Sequence, residues 1–263
     1  MNARRVSRTL LLFAVAVVMA SAAVVAQNAA TKPFEPTVGQ AGKDVVWVPT
    51  PQPLVEKMLD LAKVTPQDFL MDLGSGDGRT VITAAKRGLR AQGVEYNPDM
   101  VDLSKRNAAA AGVSEKATFV KADLFETDFS KAQVVTMFLL PSINMRLRPT
   151  ILKMKPGTRV VSNTFTMEDW QPDQTETISG DCVSWCTALL WIVPAQVDGT
   201  WQLGNNALTL KQSFQMLTGT LGSAKVTGRL RGDEITLTAD NMKYAGKVEG
   251  NTMKGSNWSA TRK

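Results

Sequence analysis

The stretch MDLGSGDGRT, residues 71–80, places three glycines and two aspartates between an apolar run and a helical pattern. FLMDL (69–73) has the composition of a short buried strand, and RTVITAAKRG (79–88) reads as a helix that ends at Gly88. A glycine turn between a strand and a helix lets a ligand approach the backbone, with the helix N-terminus behind it. The stretch therefore predicts a ligand site at the carboxyl end of a strand.

Strands and helices alternate on both sides of this turn. A helix is predicted from Pro51, another from Asn97 as N-cap, and a helical stretch broken at Pro149 follows later. Further strands are predicted at AQGVEY (91–96), ATFVKAD (117–123), AQVVTMFLL (132–140), TRVVSNTF (158–165), QTETIS (174–179) and TALLWIV (187–193). The last two have no helix between them and are expected to form an antiparallel hairpin at the sheet edge. This order predicts an α/β fold with a doubly wound, mainly parallel seven-strand sheet, Rossmann-like in its layers.

From about residue 196 the sequence changes to short alternating runs broken by glycine, which predicts a small antiparallel meander or partial barrel. Arg231-Gly232-Asp233 lies between two such runs and is expected to be a hairpin turn. The chain is therefore divided into residues 1–26, an irregular lead-in at 27–48, an α/β domain at 49–195 and a C-terminal β domain at 196–263.

Residues 1–26 have the pattern of a secretory signal: Arg4, Arg5 and Arg8, then the apolar run LLLFAVAVVMA (10–20), then small residues. The 17 residues from Leu10 to Ala26 are at the lower limit for a membrane span, so an uncleaved N-terminal anchor is the alternative. In either case we expect the remainder to be exported, as a periplasmic or membrane-anchored protein close to the membrane.

Composition excludes several functions. The chain has no histidine, which excludes a histidine-dependent catalytic triad and histidine metal sites, and no metal site is predicted. The formal charge is +6, of which three charges lie in residues 1–26, so the rest carries 6 − 3 = +3 and does not indicate nucleic-acid binding. Cys182 and Cys186 are expected either to form a small disulfide loop or to remain two reduced thiols.

The ligand class follows from the acids around the glycine turn. The turn reads G-x-G-x-G, with Arg79 where the dinucleotide fingerprint has its third glycine, and no P-loop lysine follows. Asp72 would repel a pyrophosphate but suits a ligand that carries an ammonium and a sulfonium. Glu95, 23 residues later, is placed to accept both ribose hydroxyls, and Asp123 to meet an adenine amino group. Singly, these acids could be a helix cap, a solvated strand end and a turn residue; together they predict S-adenosylmethionine.

The run VPTPQPLVEKMLDLAKVTPQDFLMDLGSGDGRTVITAAKRG resembles the class I, seven-strand S-adenosylmethionine-dependent methyltransferases. It is most similar to the protein-lysine methyltransferases related to the mitochondrial ATP synthase c-subunit lysine methyltransferase. The resemblance covers about residues 46–175, whereas the export signal and the β domain do not belong to that group. It implies that Asp72, Gly74 and Gly76 line the methionine end of the cofactor, and that Thr50 covers that end.

The acceptor site is expected at the end of the fourth strand, MFLLP (137–141), which lacks the motifs used on amides, adenine or cytosine. A protein lysine or a small amine fits better, against rings such as Phe138, Phe165 or Trp170, although these rings could instead belong to the core. No general base is identified.

The alternative function is an exported, non-catalytic binding protein built on a methyltransferase scaffold. The oligomeric state is left open.

Overall fold

The structure is a computed structural model that describes residues 33–180 and 182–263. The predicted signal, residues 1–26, and the start of the lead-in lie outside the described residues. Residues 36–51 contain no helix or strand. Within the described ranges, no helix combines the length and the apolar character needed to cross a membrane.

A seven-stranded sheet forms the first part of the fold, as the sequence predicts. Its strands are β1 (Phe69–Leu73), β2 (Arg90–Glu95), β3 (Ala117–Lys121), β4 (Val134–Met137), β5 (Arg159–Asn163), β6 (Gln174–Thr177) and β7 (Thr187–Ile192). Their order is β3-β2-β1-β4-β5-β7-β6. The first five are parallel, and β7 is antiparallel to both of its neighbours. The predicted edge hairpin is therefore present, with its second strand inserted beside β5.

Helices cover both faces of the sheet. They are α1 (Gln52–Leu61), α2 (Arg79–Lys86), α3 (Pro98–Ala110) and α4 (Pro141–Ile151). The apolar sides of α1, α2 and α3 pack on one face, and α4 packs with loop residues such as Phe129 on the other. The Asn97 side chain caps α3 by accepting a hydrogen bond from the Asp99 N–H at 2.9 Å, as its position predicts.

The predicted break at Pro149 is wrong, because α4 continues to Ile151. Pro149 lies on the exposed side of the last turn, so the carbonyl left without an N–H partner can be hydrated. Leu147 and Ile151 on the other side are buried and hold this turn against the sheet.

The C-terminal part is a closed antiparallel barrel in which each strand pairs with the next and the last pairs with the first. Its strands are β8 (Gly199–Leu203), β9 (Asn206–Ser213), β10 (Met216–Leu221), β11 (Ala224–Arg231), β12 (Glu234–Ala239), β13 (Met242–Glu249), β14 (Thr252–Gly255) and β15 (Ser259–Arg262). Alternate residues, including Trp201 and Met253, are fully buried and fill the interior. Gly232 and Asp233 make the two-residue turn between β11 and β12, as expected for that tripeptide.

The barrel docks on the edge of the sheet where the parallel strands begin. Asp173, whose side chain is 1% exposed, accepts hydrogen bonds from the Ile192 N–H at 2.8 Å and from Arg229 Nη2 of the barrel at 2.7 Å. Phe214 stacks on the buried Trp170 with their ring centroids 5.7 Å apart. These contacts fix the barrel to the sheet.

We expect Asp173→Ala to lower the free energy of unfolding by about 2 kcal/mol or more, because it leaves a buried N–H and a guanidinium unpaired. The exposed Asp233–Lys247 pair, 3.6 Å apart, is a matched control, and Asp233→Ala should cost under about 1 kcal/mol. Urea unfolding of both variants measures the difference. Equal losses would contradict the proposed docking role of Asp173.

Candidate cofactor and acceptor site

A cavity lies outside the carboxyl ends of β1 to β4, where the strand order reverses direction beside β1. All of the residues predicted to bind the cofactor line it: Thr50, Asp72, Gly74, Gly76, Glu95 and Asp123. The lining extends from Gln40 to Trp185, so within the described chain it includes no residue of the barrel.

The glycine turn has a backbone that other residues would strain. The N–H groups of Gly74 and Ser75 both donate to the carbonyl of Val94, at 2.9 and 3.0 Å, which ties the turn to β2. Gly76 has φ +54°, and a Cβ built there would lie 2.6 Å from Trp47 Nε1. The turn therefore presents backbone, with no side chain at Gly74 or Gly76, to the cavity.

Asp72 is a buried carboxylate without a cationic partner. Its Oδ1 accepts a hydrogen bond from Thr136 Oγ1 at 2.7 Å, and no basic side chain in residues 33–180 or 182–263 forms an ion pair with it. Burial raises the pKa of Asp72 from 3.8 to about 7, against the opposing effect of the Thr136 bond. The neighbouring carboxylates Asp77 and Glu95 raise it further. A cation bound beside Asp72 would relieve this cost.

Glu95 connects the end of β2 to the glycine turn. Its Oε2 accepts from the Gly76 N–H at 3.0 Å, and its Oε1 accepts from the Asn97 N–H at 2.9 Å. Each carboxylate oxygen can accept a further hydrogen bond, so both remain able to receive ligand hydroxyls.

Asp123 is held by Lys43, a residue for which the sequence analysis gave no role. Lys43 Nζ pairs with Asp123 Oδ2 and lies 4.7 Å from the centroid of the Tyr96 ring, and the Phe125 N–H donates to Asp123 Oδ1 at 2.9 Å. The hydrogen bond from Lys43 holds the pKa of Asp123 below its usual value. A ligand that reaches Asp123 has to share this carboxylate with Lys43.

Arg79 joins the residues just before α1 to the glycine turn. Its Nη1 donates to the carbonyl of Thr50 at 2.9 Å, and its Nε donates to Asp77 Oδ1 at 3.0 Å. Thr50 is 8% exposed, and its Oγ1 lies 3.4 Å from Asn163 Nδ2. The arginine that replaces the third fingerprint glycine therefore clamps Thr50 over the turn. Sequence reasoning noted the replacement and missed this contact.

Aromatic rings form the wall of the cavity beyond β4. Phe138 and Phe165 stack with their centroids 5.7 Å apart, and Trp185 meets Phe138 edge-on at 5.9 Å. Trp170, the third ring proposed from the sequence, is fully buried between Trp191 and Phe214 and does not line the cavity. Trp170 precedes β6, at the edge of the sheet where the barrel docks, and therefore belongs to the core.

Cys182 and Cys186 form a disulfide, which decides between the two states left open by the sequence. Across the part of the chain that the structure describes, no three His, Cys, Asp or Glu side chains are grouped so as to hold a metal ion.

Comparison with known proteins identifies the fold's family. Residues 72–174 match the family described as the ANTKMT methyltransferase domain. A protein-lysine N-methyltransferase of Saccharolobus islandicus is 47% identical over 133 residues, which are 49% of this chain and 83% of that protein. The chain belongs to this methyltransferase family. It is an S-adenosylmethionine-dependent methyltransferase.

Two further relatives show how much of the chain is similar to known proteins. The adenine nucleotide translocase lysine N-methyltransferase of Mus musculus is 39% identical over 120 residues, 45% of this chain and 52% of that protein. The methyltransferase therefore spans about half of that relative's length. A Salinibacter ruber structure, described as an RNA methyltransferase in complex with S-adenosyl-L-homocysteine, is 47% identical with a TM-score of 0.53. It covers 57% of this chain and 96% of its own.

The methyltransferase cavity fits its cofactor in charge. Among the described residues, five carboxylates and two basic side chains line it, although the chain as a whole is basic. One of those carboxylates, Asp72, is buried and forms no ion pair with the described basic side chains, and the cofactor carries both an ammonium and a sulfonium. Gly74 and Gly76 also line the cavity, and they place backbone without side chains there.

The pKa of Asp72 gives the methyltransferase a pH dependence. Because the folded-state pKa lies above the unfolded value, the contribution of Asp72 to stability is complete below about pH 4 and is lost as pH rises to about 7. We expect Asp72→Asn to raise the free energy of unfolding of the ligand-free protein at about pH 8, by up to about 4 kcal/mol. The gain should shrink towards about pH 4.

Chemical denaturation of both proteins at several pH values tests this expectation. Thr83→Val is a suitable control, because Thr83 is buried and uncharged and lies outside the cavity lining. A difference between Asp72→Asn and the wild type that does not change with pH would contradict the assigned titration.

Proposed function

We propose that this methyltransferase transfers a methyl group from S-adenosylmethionine to the ε-amino group of a lysine in a protein. The main support for the proposal is the set of residues that line the cavity. It combines a buried carboxylate, Asp72, that pairs with no basic side chain of the described residues, with an aromatic wall made in part by Phe138 and Phe165. Relatives named for lysine methylation support the acceptor class, including one at 47% identity.

In this proposal the cofactor is held by the residues expected from the sequence. Asp72 and the turn at Gly74 and Gly76 face its methionine end, where the carboxylate balances the ammonium. Glu95 accepts hydrogen bonds from the ribose hydroxyls, and Asp123 faces the adenine. Thr50, held down by Arg79, covers the methionine end.

The cofactor supplies an activated methyl group, and the chain supplies alignment and a dry environment. In-line alignment is worth up to roughly 7–11 kcal/mol in favourable systems. The end of β4 is apolar: Met137 and Leu139 are 1% and 2% exposed and lie next to Phe138. Desolvation in such a place lowers the pKa of an entering lysine amine, so the amine can become neutral by losing its proton to water. No general base is required for this step.

Two other functions remain distinguishable from this one. The Salinibacter ruber relative is described as an RNA methyltransferase, but an excess of carboxylates around the cavity disfavours phosphate groups. The second alternative function is a non-catalytic binding protein.

Export of the enzyme is also part of our proposal. It is supported by the signal-like residues 1–26 and by the disulfide, which is typical of oxidising compartments.

We expect Glu95→Gln to weaken binding of S-adenosylmethionine and S-adenosylhomocysteine by about 10-fold to 150-fold, because charged hydrogen bonds are worth about 1.5–3 kcal/mol. Isothermal titration calorimetry of the full chain measures the affinities. Glu115→Gln, on an exposed loop outside the cavity, should bind as the wild type does. No binding to the folded wild type would contradict the cofactor assignment.

The acceptor class is tested by transfer of label from methyl-tritiated S-adenosylmethionine to a cell extract. The proposal predicts label that protease releases, that ribonuclease does not release, and that elutes as ε-N-methyllysine after hydrolysis. Label released by ribonuclease would identify an RNA substrate instead. Cofactor binding with no transfer to either fraction would favour the binding protein.

A further inference from the structure

The aromatic wall is built by three separate segments, which the proposed function does not explain by itself. Phe138 follows β4, Phe165 follows β5, and Trp185 lies in the disulfide loop that precedes β7. All three line the cavity beyond the carboxylates. Phe138 and Phe165 are half-buried, whereas Trp185 is 42% exposed and forms the outermost of the three rings.

Phe165 is held in place by a turn. Ser162 Oγ donates to the Phe165 carbonyl at 2.7 Å, and the Thr164 N–H donates to the Thr187 carbonyl at 2.7 Å. Thr164 has φ +58°, a conformation that β-branched residues rarely adopt. Such a conformation persists only where its surroundings enforce it, so the turn fixes the direction of Phe165.

Trp185 is held by the disulfide loop. The loop closes through Cys182 and Cys186, and it is tied to the sheet edge by the Ile178 N–H, which donates to the Cys186 carbonyl at 2.9 Å. Trp185 itself has φ +56°. Its neighbour Val183 is 98% exposed, so the loop turns one apolar side chain outward and the tryptophan inward against Phe138.

We propose that Trp185, positioned by the Cys182–Cys186 disulfide, is the outer wall of the channel that receives the acceptor lysine, and that it determines specificity for an alkylammonium side chain. This inference rests on the proposed function. The ring faces suit both parts of such a side chain: they pack against its methylene groups, and they attract its charged form by a cation–π interaction. The charged amine enters at the exposed ring, and the apolar end of β4 lies beyond it.

The probe for this channel is n-butylammonium, which has the length and charge of a lysine side chain. Titration of the full chain, saturated with S-adenosylhomocysteine, is followed by NMR saturation transfer from the protein to the probe. We expect Trp185→Ala to weaken probe binding at least fivefold, and Trp185→Phe, which keeps an aromatic face, to recover most of the loss. Val183→Ala changes the same loop without touching the cavity and should leave binding unchanged.

The positioning role of the disulfide has its own test. Dithiothreitol passes two electrons and two protons to the disulfide, giving two thiols and its own cyclic disulfide. We expect this treatment to weaken binding of n-butylammonium as far as Trp185→Ala does, and to have no further effect on Trp185→Ala. The double variant Cys182→Ser, Cys186→Ser should behave as the reduced protein does. Unchanged binding after full reduction would overturn the positioning role.

Failure of this inference can be separated from failure of the proposed function. Equal binding of n-butylammonium to the wild type and Trp185→Ala, or no binding to the wild type, would overturn the channel while leaving cofactor affinity intact. If the wild type itself does not bind S-adenosylhomocysteine, the proposed function is contradicted instead. If Trp185→Ala does not fold, Trp185→Leu keeps a branched apolar side chain without a ring face and gives the same test.

Discussion

The buried carboxylate of Asp72 is the constraint around which the cavity is organised. It lies near the carboxyl end of β1, where every residue after Phe69 is buried. Among the described residues its one side-chain hydrogen bond comes from Thr136, and two more carboxylates lie nearby. An isolated charge in such a place is unfavourable, and its pKa rises to about 7. A cation bound beside Asp72 would lower this cost. The glycine turn that follows Asp72 lines the same cavity with backbone at Gly74 and Gly76.

The remaining contacts lie at the two edges of the sheet: those at the carboxyl edge cover the cavity, and those at the opposite edge hold the barrel. At the carboxyl edge, Arg79 holds Thr50 over the glycine turn and Lys43 holds Asp123, so residues 40–50 cover the cavity. At the opposite edge, the barrel is fixed through Asp173 and through Phe214. The barrel therefore leaves the cavity to the α/β domain and the disulfide loop.

Local patterns predicted the fold and brought Asp72, Glu95 and Asp123 to one edge of the sheet, whereas contacts between residues distant in sequence were missed. The spacing of Asp72, Glu95 and Asp123 placed three acids on strand ends, because parallel strands bring their carboxyl ends to one edge. The ion pair between Lys43 and Asp123 joins residues 80 positions apart, so no local pattern could reveal it. No local pattern distinguishes Trp170 from Trp185. Trp170 is buried because Phe214 stacks on it, whereas Trp185 faces the cavity because it lies in the disulfide loop.

The central claim is that Asp72 provides the counter-charge for a cationic cofactor. The most direct measurement is the number of protons released when S-adenosylmethionine binds at about pH 6, obtained by calorimetry in buffers of different ionisation enthalpy. Because a carboxyl with a pKa of about 7 is mostly protonated there, a cation that lowers this pKa should release roughly one proton in the wild type. Asp72→Asn should release none. Binding without proton release in the wild type would contradict the account.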